Sequence, residues 1–228
     1  EDRGGRHMNV LLAVLWKDLV TEWRGRDRAV ATLLFSLLVV VIFHFSLDDG
    51  RPERIRELAP GLLWIAYVFA AVLGLNRAFS LELENDAMAG LALAPSDRGF
   101  VFLGKAAANF LILGVVQALT ALVFALVFDQ SWWRIAPELA GVVALGSVGI
   151  CSMGTLLSAV AVRTRFREAM LPLLLLPLLI PVLAGAVQAT QDLLVEGSLR
   201  FAPLQLLLVA DGIYLISAYL LFDYVLDE

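Results

Sequence analysis

The chain has 228 residues, 60% hydrophobic and 17% charged, with a formal net charge of −5 and a mean hydropathy of +0.83. A soluble domain of this length is nearer a quarter charged, so this balance excludes an ordinary soluble core and makes the bilayer the solvent. The acidic balance, with no basic stripe interleaved with aromatics, excludes a nucleic-acid groove, and the lone Cys151, set in an apolar run, excludes an internal disulfide and reads as a small buried side chain.

Residues 1–8 are polar and read as a leader or upstream extension, and no cleavable signal peptide precedes the first apolar run near Ala29. Residues 9–28 form an elbow. On a helical wheel Leu12, Leu15, Trp16, Leu19 and Trp23 share one face, with Lys17, Asp18, Thr21, Glu22 and Arg24 opposite. That pattern predicts an amphipathic helix lying in the membrane interface. It either meets a cytoplasmic partner or anchors the first span.

Six apolar stretches follow at residues 29–47, 62–79, 106–128, 139–162, 169–189 and 202–225. Each approaches the ~20 residues needed to cross ~30 Å of hydrocarbon. The fold class is therefore all-α and polytopic, six transmembrane helices over residues 29–228. With the N-terminus inside, the cytoplasmic segments hold 12 Lys and Arg against 5 outside, which places both termini in the cytoplasm. The first outer loop, with Arg51, Arg54 and Arg56, runs against the bias, offset by Asp48, Asp49, Glu53 and Glu57.

His44, near the outer end of the first span, reads as a packed or interfacial histidine, with ligation of haem iron as the alternative. The second inner loop, residues 76–95, carries Glu82, Glu84 and Asp86, then Leu91 and Leu93. Asn85-Asp86 can turn the chain or cap a short helix from Ala87 that ends before Pro95. Such a segment either docks into a groove on a soluble partner or merely connects two spans. Asn109 and Gln117 are neutral polar residues inside the third span, and Trp132-Trp133 reads as an interface anchor. Gly141, Gly146, Gly149 and Gly154 predict close packing of the fourth span, within the subunit or across a dimer.

In the fifth span Pro172 falls in the first turn, where it costs little, whereas Pro177 and Pro181 kink or end the helix. Residues 182–199 are then either short re-entrant pieces at the outer face or the continuation of a kinked helix. Asp211 lies nine residues into the sixth span, near the midplane. It lines a water-filled path or holds a helix contact. GxxxxGK[ST], HExxH and GxSxG are absent, so the chain reads as a non-enzyme driven by another subunit or by an ion gradient.

Four segments, taken together, resemble the CcmB family, the membrane subunit of the cytochrome c maturation ABC transporter. They are Lys17-Asp18-Leu19 followed by Glu22 and Arg24; Ala59-Pro60-Gly61-Leu62-Leu63-Trp64; the run from Asn76-Arg77-Ala78-Phe79 to Pro95; and Leu176-Pro177-Leu178-Leu179-Ile180-Pro181. The resemblance covers residues 15–183, and beyond them only the hydropathy agrees. Asn85-Asp86 stands where the family commonly has Asp-Gly, Ala89 stands where a glutamate is usual, and Pro172 is an addition.

The resemblance implies a type-2 exporter permease in the bacterial inner membrane, working as a homodimer with a CcmA-like ATPase and with CcmC and CcmD. The complex would release the haem-loaded chaperone CcmE, with ATP on the ATPase, haem on partner proteins, and no cofactor or metal on this chain. Lys17, Glu22, Arg24, Glu82, Glu84, Asp86, Leu91 and Leu93 would couple to the ATPase, and Pro177, Pro181, Asn109, Gln117 and Asp211 would gate or pack the spans. The rival expectations are a type-2 permease for a lipid, glycan or drug, an ion-coupled transporter built on Asp211, and a non-transporting scaffold.

Overall fold

The computed structural model describes residues 3–47, 52–84, 98–128, 132, 134–161 and 167–227, without the side chains at 3–6, 52–53, 79–84, 167–168 and 226–227. Among these residues every regular element is a helix: α1 (Arg3–Gly25), α2 (Asp27–Leu47), α3 (Pro52–Glu84), α4 (Arg98–Val127), α5 (Ala136–Ala161), α6 (Arg167–Leu178), α7 (Ile180–Gln191) and α8 (Phe201–Asp227). A π-helical turn, Asp192–Glu196, follows α7. Helices satisfy their own backbone, the condition hydrocarbon imposes. Among the described residues α2, α3, α4, α5 and α8 are each long and apolar enough to cross a membrane, and the bent pair α6–α7 reaches that length and hydropathy only when its two halves are taken together.

Helix ends differ from the expectations where charge had hidden them. α1 starts at Arg3, so most of the polar lead set aside at residues 1–8 belongs to the helix. α3 starts at Pro52 and runs to Glu84, well beyond the apolar stretch 62–79. Pro52 suits a first helical position, where its missing N–H costs nothing. The flanking Leu, Glu and Arg residues are good helix formers that hydropathy alone does not register. Residues Asn76–Glu84, expected in a loop, are thus the last turns of α3.

A single residue, Arg26, separates α1 from α2. It has φ of 54°, a left-handed conformation uncommon for a side chain with a Cβ. Its N–H reaches the Glu22 carbonyl at 2.7 Å, and its own carbonyl accepts from Val30 at 2.9 Å. Its guanidinium lies 5.2 Å from the centroid of the Trp23 ring, a cation–π contact.

The fifth membrane segment breaks at Leu179, between Pro177 and Pro181, and its halves bend by 60°. Pro181 has no N–H for the carbonyl four residues back and its ring crowds that carbonyl. Leu179 and Leu183 still bond to the carbonyls of Leu175 and Leu179 at 2.9 and 2.8 Å, so the chain bends without a gap. Residues 182–196 stay helical beyond the break, at 60° to α6, a geometry shared by a broken span and a re-entrant segment. The Tyr214 hydroxyl donates to the Leu178 carbonyl, Gly185 packs on Leu207, and Arg200 pairs with Asp192. Those three pairs hold one antiparallel register, so the stretch from Leu178 to the π-helical turn follows α8, while α6 bends away and packs on α5 and α3.

The core lies where α5 meets α3, α7 and α8. Trp64 packs directly over Gly146, where any Cβ would collide with its ring, and its indole N–H donates to Thr190 Oγ1 at 2.9 Å. The small residues of α5 thus pack helices closely within one chain.

Candidate functional site

Ionic and apolar contacts together fasten α1 to the membrane bundle, among them His7 stacked on Phe100 of α4 with ring centroids 4.7 Å apart. Val14 and the Leu11 carbonyl lie against Gly104 of α4. Asp18 faces Lys105, a buried lysine, at 3.7 Å. One turn on, Glu22 points inward: Oε2 is 2.8 Å from Arg28 Nε, and Oε1 accepts the Ala29 backbone N–H at 2.8 Å. Glu22 therefore caps α2, satisfying a free N–H at the positive end of the helix.

From Arg28 the polar contact continues across the bundle. Arg28 Nη1 donates to Asn109 Oδ1 at 3.1 Å, and Asn109 Nδ2 donates to Thr155 Oγ1 at 3.0 Å. α1, α2, α4 and α5 are thus joined by one buried line of side chains. Charge so far from water survives only when paired and hydrogen-bonded. Displacement of α1 must either carry α2, α4 and α5 with it or break these bonds.

α4 is the hub of the remaining polar contacts. Ser36 and Thr120 share a hydrogen bond of 2.7 Å. The Tyr67 hydroxyl donates to the Gln117 carbonyl at 3.1 Å, and the Ser147 hydroxyl donates to Gln117 Oε1 at 2.8 Å. Beside Gln117 a cavity of about 580 Å³ opens between α3, α4 and α5. Trp132, expected at the interface, is instead buried in its wall and stacked on Phe124, with ring centroids 5.4 Å apart.

Asp211 of α8 is buried against Gly149 and Val182, at the level of the α6–α7 break, and neither carboxylate oxygen has a side-chain partner among the described residues. A methyl at Gly149 would sit 2.5 Å from its Oδ1. At the end of α7 the fully buried Asp192 accepts from Arg200 Nε at 2.9 Å, closing the turn at the left-handed Gly197. That pairing holds the Arg200 pKa above its ordinary value, through the hydrogen bond first and the carboxylate charge second. His44 is edge-on to Phe45 and Phe128, each 5.7 Å away.

Of the residues expected to couple to an ATPase, Lys17 is half-exposed and 2.9 Å from Asp18, Arg24 is exposed, and Glu22 is turned into the bundle. Trp16 and Trp23 are 70% and 74% exposed, on the side of α1 away from the bundle. Glu82 and Glu84 close α3, but their side chains, and Asp86, Leu91 and Leu93 entirely, lie outside the described residues. Of the expected gating or packing residues, Pro177 and Pro181 flank the break. Asn109 joins Glu22 through Arg28, while Gln117 and Asp211 belong to separate places. Sequence reasoning missed Arg28, Lys105 and Thr155. The available signal was two cations lying within or beside apolar stretches.

The sequence model of the family described as CcmB protein matches residues 9–220, so the match reaches well into α8, beyond the point where the motifs faded. The chain is similar to the heme exporter protein B of Paracoccus denitrificans, at 32% identity over 78% of this chain and 81% of the relative. It is similar to the heme exporter protein B of Pseudomonas aeruginosa at 29% identity (80% and 82%) and to that of Bradyrhizobium diazoefficiens at 27% (88% and 89%). A match over nearly the whole chain, on a bundle with this helix count and this proline break, makes the chain a member of the CcmB protein family.

Proposed function

We propose that the chain is the membrane permease subunit of a haem-exporting ABC transporter of the bacterial inner membrane. The names of its relatives support this reading, and one observation carries its mechanics: the buried line Glu22–Arg28–Asn109–Thr155 ties the elbow helix to three membrane helices. With no phosphate loop in its sequence, the chain takes its energy from a separate CcmA-like subunit bearing the ATP. Both termini are cytoplasmic, and two copies pair with two ATPases. CcmC and CcmD complete the assembly, haem is held by partner proteins, and the stroke releases haem-loaded CcmE. The ATPase grips the stretch around Leu91 and Leu93, with the exposed side of α1 beside it. Closure on ATP moves α1, and the clamp passes that motion to α2, α4 and α5.

The test is co-purification. Paired Leu91→Asp and Leu93→Asp should release the ATPase while the chain stays membrane-inserted; undiminished binding rejects the docking assignment. His44→Ala should leave cytochrome c maturation intact, and its loss would restore a direct haem role. A permease for a lipid, glycan or drug would co-purify with a different partner set, and a mere scaffold would support maturation with an ATPase-dead partner.

A second reading rests on Asp211, whose buried carboxylate has no side-chain partner among the described residues. In an ion-coupled transporter Asp211→Asn would abolish activity without any ATPase being required.

A further inference from the structure

The clamp leaves the outward side of α1 uncovered, and that side is not uniform. At about 100° per residue the helix divides into three faces. Val14, Asp18 and Glu22 meet the bundle. Leu12, Trp16 and Trp23 fall within about 40° of one another and are 51%, 70% and 74% exposed. Lys17, Thr21 and Arg24 form the third face, which is exposed as well. Acids and cations are sorted between these faces. The side chains of Asp18 and Glu22 turn inward and are 20% and 13% exposed. Arg24 and Arg26 are exposed on either side of Gly25, and the Arg26 guanidinium lies over the Trp23 ring. Asp27, exposed at the start of α2, is 3.9 Å from Arg77.

The neighbouring helices fix the depth of this side. α2 has 21 residues, about 32 Å at ~1.5 Å per residue, which matches the ~30 Å of hydrocarbon. Its first residue, Asp27, therefore stands at a membrane surface, next to Arg26. His7, Val14 and Asp18 of α1 meet Phe100, Gly104 and Lys105 of α4, so about 17 Å of α1 passes over only about 8 Å of α4. α1 thus lies across the end of the bundle, at the depth of lipid headgroups. α2 begins one residue beyond Arg26 and exposes Val30, Leu34 and Leu38, which in a membrane meet hydrocarbon. Lipid therefore reaches the edge of the tryptophan stripe.

We propose that the outward side of α1 is a lipid-binding surface that selects anionic headgroups. Leu12, Trp16 and Trp23 enter the boundary between headgroups and acyl chains, where indoles are favoured. Arg24 and Arg26 hold lipid phosphates beside Trp23, and with Asp18 and Glu22 turned away the surface offers cations to a negative layer. The third face keeps Lys17 and Thr21 toward water. The assignment goes beyond the permease reading and holds whichever subunit supplies the energy.

The experiment is fluorescence quenching in the whole complex, reconstituted into vesicles of phosphatidylcholine mixed with phosphatidylglycerol. A fluorophore is placed on Leu19→Cys, one turn from Trp23 on the apolar stripe, or on Thr21→Cys, on the polar face; the native Cys151 is buried and escapes the label. The label at 19 should be quenched by spin-labelled lipid and not by aqueous iodide, and the label at 21 should behave in the opposite way. Spin-labelled phosphatidylglycerol should quench at 19 at least about two-fold more than spin-labelled phosphatidylcholine. Arg24→Gln with Arg26→Gln should abolish that preference while leaving the lipid quenching itself. Three results would overturn the proposal: iodide quenching at 19, which would put the stripe in water; shielding of 19 from both quenchers, which would make a protein its occupant; or equal quenching by the two lipids in the protein with both arginines intact.

Discussion

Arg28→Met removes the cation that joins α1 to α2 and α4. The side chains of Arg28 and Glu22 are 8% and 13% exposed, so the substitution leaves the Glu22 carboxylate inside the protein. The Ala29 N–H then remains as its hydrogen-bond donor, and Asn109 Oδ1 loses the bond from Arg28. Truncating one member of a buried ion pair costs about 3–5 kcal/mol, much of it the desolvation of the stranded charge. The surviving bond from Ala29 offsets roughly 1.5 kcal/mol of that, and the lost bond to Asn109 adds about 1 kcal/mol, leaving a net loss of about 3 kcal/mol. For a chain of this length each kcal/mol corresponds to about 2–4 °C, so the detergent-solubilised protein should melt about 6–12 °C lower. Adding Glu22→Leu removes the stranded charge and should recover most of the loss, giving a coupling of about 2 kcal/mol in the double-mutant cycle. A loss below about 1 kcal/mol for Arg28→Met, or strictly additive losses in the pair, refutes the clamp.

Three further perturbations test the packing of the bundle. Gly149→Ala pushes a methyl into Asp211 and Val182 and should destabilise by about 1–3 kcal/mol in an unfolding titration. Trp64→Phe removes the donor to Thr190, whose hydroxyl keeps its bond to the Ala186 carbonyl, so the loss should be near 1 kcal/mol; a loss above about 3 kcal/mol would mean that the ring's contact with Gly146 dominates. Pro181→Ala restores an N–H at the break and should straighten α6–α7, lengthening the pulsed-EPR distance between labels at the exposed Leu173 and Gln188; an unchanged distance would assign the bend to Pro177 or to packing.

The hydrocarbon thickness made the spans legible, because it fixes how long an apolar stretch must be. Pro177 and Pro181 likewise announced the break, since proline acts through its own missing N–H. The helix ends were less visible: Pro52–Arg56 and Arg77–Glu84 are charged turns that a hydropathy window reads as loop. Asn109 and Gln117 stood out as polar residues in an apolar span, but their partners did not. Arg28, Thr155 and Ser147 sit on other helices, 81, 46 and 30 positions away. A cation at the edge of a span ordinarily snorkels to water, so the position of Arg28 and Lys105 beside apolar stretches was a signal that did not by itself mark them as buried. Glu22 was assigned to the polar face of α1 because a helical wheel cannot tell which side a neighbour will cover. Asp192 and Arg200 were within reach, being eight residues apart around a glycine turn.

The left-handed residue between the first two helices has a mechanical corollary. A helix of 23 residues is about 35 Å long at ~1.5 Å per residue, so a ten-degree torsional adjustment at Arg26 sweeps the far tip of α1 through about 6 Å. Flexible joints are normally made with glycine. An arginine there, its Cβ resisting rotation and its guanidinium seated on Trp23, makes the joint stiff, and a stiff joint lets a lever deliver force and not merely displacement.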